Sequence, residues 1–380
     1  MKILLLGAGF GGLELASALS EEFGDEVEVT LLDRSEGFVF GFSKLDVMFG
    51  RTSADAVFHP YADVVKPGVR FVRTTIRSID PSARSVVTDD GIFEADIMVI
   101  ALGAEVDPSA TPGLVEGGHD FYSNAGAFAL RDVLAEFPGG HIMIGVTSTP
   151  FKCPPAPSET ALLVHDLLER RGLLDQSRIS LVMPLGAPIP PSPDASAALL
   201  TAFAERGIEW HPSTLITSLD PQRNVAITAE GDELPYDLFL AVPKHQVPSV
   251  IAESGMCVDG WIPVDPHTLE TTFPGVYAVG DVTSVGTPKA GVFSEGQAVV
   301  VADRIIASIR GRTEAMTYDG AAACYLEFGE DEVARVDIVF APGEPPHGSL
   351  AGPAPALVSD KFAFGADRIQ RWFGREWRQF

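Results

Sequence analysis

Two kinds of apolar pattern alternate at the start of the chain. Met1 to Leu6 is an almost continuous apolar run, residues 7–12 are rich in glycine, and apolar residues then recur at helical spacing from Leu13 to Leu19. A second apolar run, Val27 to Leu32, follows. Short apolar runs predict buried strands, and apolar positions three or four residues apart predict an amphipathic helix. The opening of the chain is therefore predicted to form a strand, a glycine turn, a helix and a second strand.

The glycine turn has the spacing of a dinucleotide-binding loop. Gly7 permits the tight turn, Gly9 lets the backbone approach a pyrophosphate, and Gly12 allows close packing of the helix on the strand. Asp33 ends the second strand about 20 residues further on, where its carboxylate can accept a hydrogen bond from a ribose hydroxyl. Free N–H groups at the start of the helix would bind the phosphates. These residues predict a site for FAD or NAD, which share this fingerprint.

Two later strands distinguish between the two dinucleotides. Residues 96–104 form an apolar run that enters a turn of small residues, and residues 276–281 form another that ends in an acidic residue. At these segments the chain resembles the flavoprotein reductases with two dinucleotide-binding domains. The resemblance implies that the first turn passes near FAD and that the aspartate binds the ribityl chain. The alternative is that both segments are ordinary core strands. This explanation suits the first segment but not the second, because a buried acidic side chain needs a partner or water. The cofactor positions implied are Ala101, Gly103, Gly280 and Asp281.

The middle of the chain repeats the alternation of strands and helices. A nicotinamide-binding unit would place a glycine loop after its first strand. Residues 147–157 instead hold four prolines and no glycine, and proline removes N–H donors. We expect this unit to keep the Rossmann shape without a nicotinamide site. Its predicted elements are a strand from His141 to Gly145, a helix from Glu159 to Arg171, a strand from Ile179 to Met183, a helix from Ala195 to Arg206 and a hairpin-like region from Leu215 to Pro235.

The predicted fold class is α/β, with two Rossmann-like dinucleotide-binding domains in three layers and a small C-terminal α+β region. That last region is expected to contain a strand pair near Cys324 to Phe340, a Pro/Gly-rich loop over 342–355 and a short terminal helix. The predicted division is 1–104 for the first part of an FAD domain, 105–250 for the second Rossmann-like domain, 251–312 for the rest of the FAD domain and 313–380 for the C-terminal region.

Composition and charge argue against several classes of protein. The chain has 380 residues, of which 46% are hydrophobic, enough for two or three domains with full cores. No apolar run reaches the ~18 residues of a membrane-spanning helix, and the N-terminus does not resemble a secretory signal. A net charge of −25 argues against nucleic acid and against general adhesion to anionic lipid. Three widely spaced cysteines form no disulfide framework, which indicates a reducing cytoplasm, and no metal site is predicted.

A cysteine lies in the proline-rich loop where the second glycine loop would be expected. The segment 151–159 resembles the cysteine loop of the sulfide:quinone oxidoreductases and of the flavoprotein subunit of flavocytochrome c sulfide dehydrogenase. Segments 288–297 and 324–329 match as well, so the resemblance spans nearly the whole chain. It implies an FAD enzyme in which Cys153 and Cys324 lie beside the flavin ring and exchange a disulfide or polysulfide bridge with sulfide.

The residues around Cys153 suit this chemistry. Lys152 precedes it, and a helix is expected to begin at 157–158 with Glu159 in its first turn. The thiolate is the nucleophile, and cations and helix N-termini lower the pKa of a thiol. Sulfide would attack the Cys153–Cys324 bridge and leave a persulfide on one sulfur and a thiolate on the other. Cys153 is assigned the position next to the flavin, from which two electrons would pass to the cofactor.

Several assignments keep an alternative. Cys324 would otherwise be a core residue, and Glu159 is either a proton carrier or a first-turn acid that complements the helix dipole. Lys289 is predicted to reach the pyrimidine edge of the flavin, with a surface lysine as the alternative. Many sulfide:quinone oxidoreductases have a further cysteine where this chain has residues 121–124. The cycle would then use two cysteines, or the substrate is another sulfur or thiol species. Cys257 has no such context and is interpreted as incidental.

The electron acceptor is predicted from the C-terminal segment. Residues 361–380 hold five basic against two acidic residues, and Ile369, Trp372, Phe373, Trp377 and Phe380 fall near helical spacing. Such a helix could lie on the inner face of a membrane and give a quinone access, or contact a second copy of the chain, but Gly374 and the short length favour packing on its own domain. A protein acceptor is the other option. Two further functions stay open: an NAD(P)H-dependent flavin reductase, and a non-catalytic flavoprotein that donates electrons or senses redox state.

Overall fold

The first of two five-stranded parallel sheets is built from the start and the late middle of the chain. The computed structural model describes residues 1–377. Alternate residues of the first strand point to opposite sides of the sheet: Ile3 and Leu5 face one core, and Leu4 and Leu6 face another. Helices Phe10–Phe23 and Gly291–Arg310 pack against each other on the side of Ile3. The strand order is Val276–Ala278, Ile97–Ile100, Lys2–Leu6, Glu28–Asp33 and Val69–Arg73.

The second parallel sheet is built from the middle of the chain. Its core contains Ile142, Ile144 and Val146, which are all inaccessible to solvent. Helices Asn124–Glu136, Ala156–Arg170 and Pro193–Glu205 contribute to the same core. The strand order is His119–Asp120, Leu238–Val242, Gly140–Val146, Ser177–Val182 and Glu209–His211. The α/β class with two Rossmann-like units is therefore confirmed.

Smaller antiparallel sheets and short helices complete the molecule. Strands Glu105–Asp107 and Lys244–Gln246 pair where the chain enters and leaves the second unit, and the domain boundaries drawn above stay a prediction. The other antiparallel groups are Gly37–Val39 with Phe58–Pro60; Ile76–Asp80, Ser85–Thr88 and Gly91–Glu94; and Ile216–Asp220, Val225–Thr228 and Glu233–Pro235. The short helices are Ser43–Met48, Leu114–Gly117 and Ser249–Ala252.

The C-terminal region differs from its prediction in two respects. The expected strand pair is present as Ala321–Gly329 and Glu332–Val339, but a third strand, His347–Ala354, lies where a Pro/Gly-rich loop was expected. This strand is at the edge of its sheet, where glycine and proline are tolerated. The terminal helix, Ala356–Phe373, is also longer than expected. We call it the C-terminal helix.

Candidate active site

A cavity of about 560 Å³ lies where the two parallel units and the C-terminal region meet. Its size is typical of a cofactor or substrate site. Residues from the start, the middle and the end of the chain line it. Of the residues predicted from the sequence, those that line the cavity are Gly7, Gly9, Asp33, Ala101, Gly103, Cys153, Glu159, Asp281 and Cys324.

The glycine turn gives one end of the cavity the shape of a pyrophosphate cradle. A Cβ at Gly12 would lie 1.9 Å from the Gly7 carbonyl oxygen, so Gly12 permits the close helix–strand approach. Gly7 has a φ of +102°, and a Cβ there would lie 2.4 Å from the Ala101 carbonyl oxygen. A Cβ at Gly9 would meet no atom within 4 Å, and Gly9 faces the cavity. The helix that starts at Phe10 has no side-chain cap, so its first N–H groups can bind phosphate.

Asp33 lies beside this cradle at the end of its strand. Its carboxylate accepts hydrogen bonds from the Ala8 N–H (2.8 Å) and the Ser35 N–H (2.8 Å), which fix its position at the cavity wall. The glycine turn, the uncapped helix start and this carboxylate together fit a dinucleotide such as FAD.

A second uncapped helix start faces the cavity close to the first, since a Cβ at Gly291 would lie 2.6 Å from the Phe10 ring. The helix Gly291–Arg310 begins after Ala290 without a side-chain cap, and Ala290, Gly291 and Val292 line the cavity. Its positive end would stabilise negative charge on a bound flavin. Asp281 lies nearby, where burial raises its pKa. Gly280 does not line the cavity; its N–H donates to Gln297 Oε1 at 2.6 Å and shapes the turn before Asp281.

The prediction for Lys289 needs a correction. Its ammonium group does not line the cavity. It donates instead to the backbone oxygens of Asp281 and Thr283 (2.6 and 3.2 Å) and lies 3.2 Å from the centroid of the Trp261 ring. Such acceptors and an aromatic face can hold a buried ammonium group in place. The backbone of Lys289 still contributes, because its carbonyl accepts the Cys153 N–H at 2.7 Å.

Cys153 and Cys324 come together at the cavity wall from separate parts of the fold. Cys153 lies in the loop before helix Ala156–Arg170, and Cys324 lies on strand Ala321–Gly329, which packs against that helix. Both are free thiols. Cys153 has a φ of +46°, which is unusual for a residue with a side chain and is often found at functional sites. Cys257 is also a free thiol and lies outside the cavity lining.

Burial controls the ionisation of the two thiols. The Cys153 side chain is accessible from the cavity but surrounded by protein, and this burial, with the nearby Cys324 and Glu159, raises its pKa; Lys44 opposes the shift. Burial and Glu159 raise the pKa of Cys324 to about 12. The expected role of Lys152 as the cation of Cys153 is not supported, because Lys152 donates to the Ala104 carbonyl (3.0 Å) instead.

Glu159 connects the cysteines to a buried network of charged side chains. Its Oε1 accepts the Glu327 N–H at 2.9 Å. Burial raises the pKa of Glu159 to about 7, against the opposing charge of Lys361. Burial alone would also raise the pKa of Glu327, but the ammonium of Lys361 and the guanidinium of Arg51, both bound to it, lower it well below its usual range. Two carboxyl groups that lie next to each other thus differ in protonation at neutral pH.

The sequence did not identify two further sets of cavity residues. Lys44 lines the cavity, and burial, with the neighbouring Lys152, lowers its pKa to about 8. Beside Cys324 the wall is apolar and aromatic, with side chains from Phe42, Tyr325 and Phe364. No local motif marks them. The available signals were the small number of lysines, seven in the whole chain, and the position of Tyr325 directly after Cys324.

The aromatic face predicted for the C-terminal helix is present but is covered by the molecule itself. Ile369, Trp372 and Phe373 are buried in the core beside the first sheet, as is Trp377 beyond the helix. Phe380 lies outside the described residues. Three basic side chains of the described residues are also paired: Arg368 with Glu295, Arg371 with Glu14 and Glu21, and Arg375 with Asp63. Within residues 361–377 the aromatic face is thus covered by the rest of the molecule, which favours packing on its own domain. Within residues 1–377 no helix has the length and apolar character to cross a membrane.

Comparison with known proteins shows which families this chain is similar to. The model of the pyridine nucleotide-disulphide oxidoreductase family matches residues 168–305. The chain is 26% identical to the sulfide-quinone reductase of Aquifex aeolicus over 87% of this chain and 81% of that protein. It is 24% identical to the mitochondrial sulfide:quinone oxidoreductase of Mus musculus over 89% and 78%.

Other matches extend this comparison. The structure of the sulfide:quinone oxidoreductase from Aquifex aeolicus superposes with a TM-score of 0.84 at 22% identity, covering 99% of this chain and 92% of that one. A type II NADH:quinone oxidoreductase of Staphylococcus saprophyticus is 36% identical over 35% of this chain and 31% of its own length. The chain is therefore a homologue of the sulfide:quinone oxidoreductases over most of its length, and its residues 168–305 match the pyridine nucleotide-disulphide oxidoreductase family.

Proposed function

We propose that the protein oxidises sulfide, or a related sulfur or thiol species, at Cys153 and Cys324 and transfers two electrons to a quinone or another acceptor. The observation that carries the proposal is the meeting of two distant cysteines in a cavity that also contains a dinucleotide cradle. The names of the relatives that match most of the chain support sulfide and quinone as the two substrates.

The proposed cycle begins with a Cys153–Cys324 disulfide. Hydrosulfide attacks Cys324 Sγ, the S–S bond breaks, and its electron pair stays on Cys153 as a thiolate. The persulfide on Cys324 and this thiolate then join through the added sulfur atom, which releases two electrons and one proton. Bound FAD supplies two-electron acceptance at this point and delivery to the acceptor. The left-handed backbone of Cys153 and its hydrogen bond to Lys289 would hold the sulfur at a fixed place.

Glu159 is proposed as the proton carrier of the cycle. It lines the same cavity as the two cysteines, and its raised pKa of about 7 allows proton exchange near neutral pH. Its first-turn position in helix Ala156–Arg170 would equally complement the helix dipole. The hydrogen bond from the Glu327 N–H directs the carboxyl group towards the cysteine strand, which favours the proton-carrier role.

The aromatic wall beside Cys324 is proposed as the quinone site. Phe42, Tyr325 and Phe364 line this part of the cavity, and the rings of Tyr325 and Phe364 lie 5.4 Å apart. A quinone ring is flat and apolar, and aromatic side chains bind such rings by stacking. The acceptor would thus approach from the side of the C-terminal helix without exposure of that helix's buried face.

One observation favours NADH as an alternative reductant, namely the partial match to a type II NADH:quinone oxidoreductase. The loop over 147–155 argues against it. Its Thr147 and Cys153 N–H groups already donate to Val242 and Lys289, and Pro150, Pro154 and Pro155 have none. Few donors are left for a second pyrophosphate.

Anaerobic absorbance titration of the FAD-loaded protein tests the proposal. Sulfide should bleach the flavin band in the wild type and in Cys257→Ser, a matched control whose thiol lies outside the cavity lining. Cys153→Ser and Cys324→Ser should each lose the bleaching. NADH is added to parallel samples. Bleaching by NADH alone, or full sulfide bleaching in Cys153→Ser, would overturn the proposal.

A further inference from the structure

The ammonium group of Lys44, which lines the cavity, is held by a backbone carbonyl and not by a carboxylate. The ammonium of Lys44 donates to the Tyr122 carbonyl oxygen and lies 5.9 Å from the centroid of that ring. Lys152 and Lys289 also donate to backbone oxygens, and Lys361 donates to Glu327. Lys44 differs from them in its bond to Tyr122, a residue that also binds the Cys153 backbone. Lys44 is thus placed to interact with charge that arises inside the cavity.

Tyr122 connects this cation to the cysteine loop. Its carbonyl accepts from Lys44, and its hydroxyl donates to the Cys153 carbonyl at 3.4 Å. The turn before it is fixed, because the Asp120 carboxylate accepts the N–H groups of Tyr122 and Ser123. Tyr122 itself is buried. One buried residue therefore holds both groups: its main-chain carbonyl binds Lys44, and its hydroxyl binds the Cys153 backbone.

We propose that Lys44, positioned by Tyr122, is the electrostatic partner of Cys153 and stabilises the negative charge that this sulfur carries as a thiolate. In the proposed cycle, this is the charge left when the Cys153–Cys324 bond breaks. The inference deepens the proposed function and rests on it for its catalytic meaning, but the Lys44–Cys153 coupling can be measured without sulfide.

The charges around both groups support this assignment. Around Lys44 lie Lys152, Asp120, Asp281 and Cys153, and of the two acids Asp120 is occupied by backbone N–H groups. The groups that act on Cys153 are Cys324, Glu159, Lys44 and the backbone N–H of Ala156. His245 packs edge-on against Tyr122 (5.1 Å between ring centroids), and burial lowers its pKa to about 3, so it is neutral near pH 7. Lys44 lines the same cavity as Cys153, and its positive charge opposes the rise in the pKa of the Cys153 thiol.

The experiment measures alkylation of Cys153 by iodoacetamide in the reduced, FAD-loaded protein as a function of pH, with the modified cysteine identified by peptide mass spectrometry. Since the thiolate is the reactive form, Lys44→Gln should shift the rate profile to higher pH and slow the reaction at neutral pH by about threefold to tenfold. Lys44→Arg, which keeps the charge, should stay close to the wild type.

Lys244→Gln is the matched control, because it removes an exposed lysine on strand Lys244–Gln246. It should leave the profile unchanged. If Lys44→Gln does not fold, Lys44→Met provides the same loss of charge in an apolar side chain. A profile for the uncharged variant that superposes on the wild type would overturn the inference.

Sulfide consumption by the same preparations separates this inference from the proposed function. A shifted alkylation profile in a wild type that does not consume sulfide would leave the Lys44–Cys153 coupling intact and remove the proposed function. If the wild type consumes sulfide but the alkylation profile of Lys44→Gln is unshifted, the proposed function stands and the Lys44–Cys153 coupling is overturned.

Discussion

Alanine substitutions at Gly9 and Gly12 should damage the protein in two different ways. A Cβ at Gly9 has no atom within 4 Å, whereas a Cβ at Gly12 lies 1.9 Å from the Gly7 carbonyl oxygen. Gly9 faces the cavity, so its new methyl group would occupy the space through which a pyrophosphate approaches the backbone. At Gly12 the methyl group would instead force the helix away from the turn.

The expected magnitudes differ accordingly. Gly9 has φ −80° and ψ −161°, which alanine adopts without strain. Gly9→Ala should therefore leave the stability of the cofactor-free protein within about 1 kcal/mol of the wild type. Loss of one charge-assisted hydrogen bond to a phosphate costs about 1.5–3 kcal/mol, which corresponds to FAD binding weaker by about tenfold to a hundredfold. Gly12→Ala should destabilise the cofactor-free protein by about 3 kcal/mol or more, because backbone must move.

The assay is a fluorescence titration of cofactor-free protein with FAD, together with urea unfolding followed by circular dichroism. Gly186→Ala is a suitable control, since a Cβ there would make an ordinary contact at 3.6 Å with Ser213. Wild-type affinity for FAD in Gly9→Ala would refute the cradle assigned to this turn. A loss of stability in Gly9→Ala equal to that of Gly12→Ala would refute the distinction between the two glycines.

Three other substitutions test the buried charges and the C-terminal helix. The Glu159 carboxyl group loses its proton as the pH rises through about 7, so the steady-state rate of sulfide-dependent quinone reduction should rise over the same interval. Glu159→Gln should be about a hundredfold slower and should lose this pH dependence. A rise of the rate with pH in the variant would contradict the role of Glu159 as proton carrier. Lys361→Met leaves the buried Glu327 with a single cationic partner and should lower the free energy of unfolding in urea by about 3 kcal/mol. The Lys361→Met, Glu327→Gln double variant should recover part of this loss. An unchanged free energy of unfolding in Lys361→Met would contradict the network. Trp372→Ala removes a fully buried side chain and should lower the free energy of unfolding by about 3–5 kcal/mol. The exposed control Val358→Ala should lower it by less than about 0.5 kcal/mol. Equal losses in the two variants would contradict the packing of the C-terminal helix on the core.

The parts of the fold that the sequence predicted are those with a local signature. The strand, glycine turn and helix at residues 2–23 follow from apolar spacing and from glycines that only a tight turn requires. The absence of a second glycine loop likewise marked the proline-rich cysteine loop. The third C-terminal strand was missed because glycine and proline, common in His347–Ala354, are also typical of loops.

The missed site residues depend on contacts between distant segments. The proposed role of Lys44 depends on its contacts with Tyr122 and the cysteine loop, which are distant in the sequence, and no pattern near residue 44 indicates these contacts. The partners of Lys289 could not be predicted for the same reason, since its acceptors and Trp261 are brought to it by the fold. Sequence spacing can thus predict a cofactor loop, but not the direction in which a single lysine points.

The origin of the cavity wall in widely separated segments has a consequence for protein synthesis. The wall combines residues 7–10 with Cys153, Cys324 and Phe364, and the core beside it requires Trp372. A ribosome releases these segments in order, and N-terminal units usually fold first. The first sheet therefore stays incomplete during much of synthesis, because strand Val276–Ala278 is synthesised late. The cavity can therefore form only after strand Ala321–Gly329 and the C-terminal helix have been synthesised.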